Sequence, residues 1–138
     1  MDKLLKNKLV ACIAWNAMAL LAISMQTTDT LEAFLNDNVD FVHHLGMKGI
    51  WIFAIMIMVN IIMQFVIAAF DSLKTRIVSL GVTAFYTVFM IIHQVTHLIS
   101  GDRFDIHFCF DLLHHTFGII AIIAIYKQIQ ICKSKKAE

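Results

Sequence analysis

Phe108-Cys109-Phe110-Asp111-Leu112-Leu113-His114-His115-Thr116-Phe117-Gly118-Ile119-Ile120-Ala121-Ile122-Ile123-Ala124-Ile125-Tyr126 decides how this chain folds. Its uninterrupted apolar part, Phe117 to Tyr126, is too short to cross a bilayer, which takes about 20 helical residues. The stretch reaches that length only if the helix begins near Phe108. Asp111, His114 and His115 are then drawn into the end of a membrane span, where ionisable groups are costly unless paired or ligated.

Three more apolar segments lie upstream, at about 9–26, 50–70 and 77–99. Of the 138 residues, 59% are hydrophobic and 15% charged, there is no proline, and the mean hydropathy is +0.77. The expected fold is an all-α integral membrane protein of four transmembrane helices, because only helices satisfy their own backbone in lipid at this length. One domain, 1–138, forms a bundle of two antiparallel hairpins, 1–70 and 71–138. The outer connection, 27–49, opens with Thr28-Asp29-Thr30 and keeps apolar spacing at Leu31, Phe34, Leu35, Val39 and Val42, which predicts a short outer interfacial helix. The basic start of the first segment and its small-residue exit, Ala22-Ile23-Ser24, resemble a signal peptide, but the segment is read as a spanning helix.

The net charge of +1 conceals a polarity. Lys3, Lys6, Lys8, Lys74, Arg76, Lys127, Lys133, Lys135 and Lys136 fall on one side, and only Lys48 and Arg103 on the other. The positive-inside rule makes the basic side cytoplasmic, with both termini there, and points to an inner (plasma) membrane. All seven histidines fall on the extracytoplasmic side, together with Asp29, Glu32, Asp37, Asp40, Asp102, Asp105 and Asp111.

That histidine-rich face carries the expected function. Asp40-Phe41-Val42-His43-His44 and Asp111-Leu112-Leu113-His114-His115 repeat one Asp-x-x-His-His pattern, and His93 and His97 share a helix face at i, i+4. The repeat suggests a parallel duplication, although the counterparts of His93 and His97 in the first half are Ala22 and Gln26. At about 1.5 Å per residue, Asp111 stands about 22 Å above Tyr126, His93 about 24 Å above Ile77 and His97 about 30 Å above it. Antiparallel neighbours therefore bring His93 level with Asp111. Asp40, His43 and His44 stay in the wet interface and can cap the site.

The candidate metal ligands are His93, His97, Asp111, His114, His115, His43, His44 and Asp40. Three histidines and a carboxylate suit zinc, and a set richer in carboxylates suits iron. The expected function is metal handling, or a metal-dependent reaction on a lipid or quinone. His-x-x-x-His followed by His-His also resembles the histidine boxes of membrane fatty-acid desaturases and hydroxylases, over these few residues alone. Those families carry more boxes, on the cytoplasmic side of longer chains. Haem b is the alternative cofactor, held between His93 or His97 and His114 or His43 in an electron-transfer subunit. The same groups would also serve a small proton- or metal-coupled transporter, or pair with one another in a structural protein without cofactor.

Asn16, Asn60 and Gln64 read as interhelical hydrogen-bonding groups, Trp51 as an outer belt residue and Trp15 as lying toward the inner side. No nucleotide, phosphate-loop or nucleophile pattern is present, and the basic ends suit anionic lipid, not nucleic acid. A homo-oligomer, or an accessory place in a membrane complex, is the expected assembly.

Overall fold

The computed structural model describes residues 2–35, 39–99 and 106–137; within these, the side chains of residues 29, 32–34, 39–50, 52, 97, 106–107 and 135–137 lie outside the description. Among the described residues four helices follow one another: α1 (Lys3–Leu35), α2 (Val39–Ala69), α3 (Leu73–Ile99) and α4 (Ile106–Ala137). No strand occurs among the described residues. Among the described residues, three stretches are long and apolar enough to cross a membrane, Lys3–Thr28, Leu73–Thr96 and Phe108–Ser134, while α2 contributes the shorter Phe53–Ala69. They overlap the segments read from the sequence, but each helix continues past its apolar part.

The separate interfacial helix does not form. Residues through Leu35 prolong α1, and α2 has begun by Val39. No glycine or proline stands between Gln26 and Leu45 to break a helix. Thr27, Thr28 and Thr30, in the stretch that reads as a helix start, donate their hydroxyls to the carbonyls of Ile23, Ser24 and Gln26 at 2.8–2.9 Å. That bond belongs to a residue inside a helix, not to a cap.

At the basic end, Asp2 caps α1 by accepting from the Leu4 amide at 3.1 Å. Ser72 caps α3 in the same way, its Oγ taking the Thr75 amide at 3.0 Å. Between α2 and α3, Asp71 accepts from Lys8 Nζ at 2.8 Å and from the Arg76 guanidinium. The short turn is thus tied to both α1 and α3. The Lys8 hydrogen bond above all, with the Arg76 charge beside it, holds the Asp71 carboxyl below the usual carboxylate range.

The most extensive packing joins the first helix to the last: α1 lies on α4, α4 on α3 and α1 on α2, whereas of the adjoining pairs α2 and α3 pack least. The start of α1 meets the end of α4, where Gln128 Nε2 donates to the Asn7 carbonyl at 3.1 Å. Small side chains permit the close approach: Ala11, Ala14, Ala19 and Ala22 are buried on α1, and Gly118, Ala121 and Ala124 on α4. Between α3 and α4 the contact at Gly118 is also close. A methyl group placed on Gly118 would come within 2.5 Å of Thr87 Oγ1.

Polarity runs inside out on α3. Its buried face is Arg76, Ser79, Thr83, Tyr86, Thr87 and Met90, while Ile77, Val78, Phe85, Val88, Phe89 and Ile92 are exposed. A water-soluble bundle sorts these residues the other way.

Candidate functional site

Every third or fourth residue of α4 is buried: Asp111, His114, His115, Gly118, Ala121, Ala124, Ile125, Gln128 and Ile129. This stripe carries the ionisable part of the Asp-x-x-His-His copy into the interior. His114 is 1% exposed and His115 6%. The Gly118–Thr87 contact sets the register between α3 and α4, placing position 94 level with Asp111 and position 90 level with His115.

All four helices contribute a side chain to the group around His114. Its ring centroid lies 5.6 Å from that of Tyr86 on α3, tilted by 50°. Tyr86 in turn lies 5.3 Å from the Trp15 ring of α1. From α2, Asn60 donates through Nδ2 to the Tyr86 hydroxyl at 3.0 Å and to its own helix at the Met56 carbonyl at 2.8 Å. His115 stands nearly perpendicular to His114, with centroids 6.2 Å apart. Trp15 and Asn60 are fully buried.

Several polar atoms of this group are buried without a hydrogen-bond partner, namely His114 Nε2, His115 Nε2, Trp15 Nε1 and Asn60 Oδ1. A buried polar group in that condition costs free energy on the order of 1–3 kcal/mol. Four such atoms gather here, on residues in contact with one another or one residue apart.

The other expected ligands are distributed differently. Helical spacing puts His93 on one stripe with Tyr86 and Met90, yet those two are buried and His93 is exposed. Beyond Met90 the described side chains of α3, Gln94 apart, are exposed, so the inward face that the spacing implies is not covered at this level. Asp40, His43 and His44 belong to the first turns of α2 and His97 to the last turns of α3, but their side chains lie outside those described. Among the described residues, no group of three or more His, Cys, Asp or Glu side chains is gathered closely enough to hold a metal ion.

Trp15, expected toward the inner side, is fully buried in the core cluster. The signal was its place on the Ala11–Ala14–Met18–Ala22 stripe, which a belt residue would not share. Trp51 is 63% exposed. Asn16 faces outward, whereas Asn60 makes the interhelical bond its position suggested. Tyr86 and Asn60 were visible in the sequence as polar residues within apolar spans; their meeting across α2 and α3 was not.

Toward the basic end, the polar face continues through Thr87, Thr83 and Ser79 to Arg76. The Thr87 and Thr83 hydroxyls are engaged with the carbonyls of Thr83 and Ser79, at 2.8 and 2.7 Å. Arg76, 3% exposed, closes this face with its guanidinium on Asp71. No family model, no curated protein and no solved structure matches the chain.

Proposed function

We propose that the chain is an integral protein of the inner (plasma) membrane, with its basic end in the cytoplasm, and that His114 and His115 contribute to a divalent metal site, for zinc or iron, which they and Asp111 do not complete by themselves. The reading rests on one observation above the others: two imidazole Nε2 atoms buried without hydrogen-bond partners, beside a buried carboxylate one turn away. An imidazole nitrogen that no protein group bonds is open to a metal ion. His93, His97, His43, His44 and Asp40 are the sources of the remaining ligands, since they belong to the same end of the helices.

Membrane insertion is supported by the inverted polarity of α3 and by the exposed Leu5, Leu9, Ile13, Leu20 and Ile23 of α1. A route for cations through the whole bundle is opposed by Arg76 and Lys8, whose charges exceed the single Asp71 between them. The site therefore serves ligands arriving from the histidine end, for metal handling or for a metal-dependent reaction on a lipid or quinone there. Haem b suits the geometry less well, because the His114 ring is already taken up in tilted contacts that run through Tyr86 to Trp15.

Elemental analysis and an absorbance scan of tag-free protein in mild detergent test this reading. Stoichiometric zinc or iron, lost in His114→Ala and His115→Ala, is the expected result. A Soret band reducible by dithionite would replace it with haem. No metal, no pigment and unaltered stability in both variants would leave a structural role.

A further inference from the structure

Between the start of α1 and the end of α4 lies a cleft of about 310 Å³, lined by Lys3, Lys6, Asn7, Lys127, Gln130 and Ile131. Three lysines from two helices line it, and no carboxylate does among the described residues. The two described acids at this end are committed elsewhere. Asp2 caps the first turn of α1, and Asp71 is paired with Lys8 and Arg76. The walls of the cleft are fastened, since buried Gln128 bonds the Asn7 carbonyl and Asn7 Nδ2 donates to the Lys3 carbonyl at 3.0 Å. Like charges gathered on a fixed frame repel one another unless an anion sits among them.

The position selects the anion. Lys127 directly follows Tyr126, at the end of the apolar run of α4, and Lys6 precedes the exposed Leu9 and Ile13 of α1. The cleft therefore opens at the boundary between hydrocarbon and water, on the side where basic pockets between helices meet lipid phosphates. We propose that it binds the phosphate headgroup of an anionic phospholipid, held between Lys3, Lys6 and Lys127. This inference rests on the membrane reading above and is independent of the metal site.

The test uses the full chain in detergent, titrated by native mass spectrometry with phosphatidylglycerol, phosphatidylcholine or inorganic phosphate. A lysine near a membrane surface is worth about fivefold in affinity for anionic lipid. The double variant Lys6→Gln/Lys127→Gln is expected to lose on the order of 25-fold for phosphatidylglycerol. Lys6→Arg/Lys127→Arg retains binding, and Lys74→Gln/Lys133→Gln, which removes equal charge elsewhere at the same end, changes it less than about threefold. Equal losses in the two glutamine pairs would mean diffuse attraction and overturn the site, as would equal binding of phosphatidylcholine. Displacement of the lipid by millimolar inorganic phosphate would assign the cleft to free phosphate instead. Release of the chain from native membranes by alkaline carbonate would refute the membrane reading separately, whatever the detergent titration shows.

Discussion

Gly118→Ala probes a close approach of α3 and α4, one turn from His114. The added methyl would meet Thr87 Oγ1 at 2.5 Å, Cγ2 at 2.9 Å and Cβ at 3.2 Å, where ordinary contact begins near 3.4 Å. The largest shortfall is thus about 0.9 Å, and Thr87 has little freedom to yield. It is 3% exposed, and its hydroxyl is held by the Thr83 carbonyl at 2.8 Å. Overpacking of this kind costs about 1–3 kcal/mol. Alanine recovers up to about 1 kcal/mol through helix propensity. A net loss of about 1–2 kcal/mol is expected, read as a lower denaturant midpoint for helix content in detergent. Thr87→Ala removes the two nearest atoms, so the double variant Gly118→Ala/Thr87→Ala should show a favourable coupling of about 1 kcal/mol. Parent-like stability in Gly118→Ala, with strict additivity in the double variant, would refute the close approach of α3 and α4 and the register drawn from it.

Tyr86→Phe removes the acceptor of the Asn60 amide, which keeps its bond to Met56; a loss of about 1 kcal/mol is expected in the same denaturant assay. Asp71→Asn should lower the thermal midpoint at neutral pH by a few degrees. Because the folded carboxyl titrates below its ordinary 3.8, its contribution is present above that value and fades as pH falls through the folded one, so variant and parent should converge in acid. Cys109 is exposed in the first turn of α4, and a membrane-impermeant thiol reagent should reach it from the extracytoplasmic side only. Labelling confined to the cytoplasmic side would reverse the topology.

Helix number and the polar asymmetry of the two ends were legible along the chain, because both depend on local quantities: runs of apolar residues, the absence of proline and the placement of lysine. The burial of Asp111, His114 and His115 was legible for a related reason, since α4 cannot reach membrane length without them. Where one helix ended and the next began was less so. Thr27, Thr28 and Thr30 suit a helix start or a helix interior equally well, and the choice was made by their bonds to the preceding turn.

Only the tertiary structure decided which residues meet. Tyr86 and His93 stand on one face by spacing, yet one is buried and the other exposed, because burial depends on what the neighbouring helices cover at each level. Trp15, Asn60, Tyr86 and His114 come from four helices and from widely separated positions, and no periodicity links them. The sequence alone determined that ionisable groups would enter an apolar body, since span length is a one-dimensional constraint. That they enter beside a tryptophan, a tyrosine and an asparagine was settled by the packing of α1 on α4 and by Gly118 letting α3 approach.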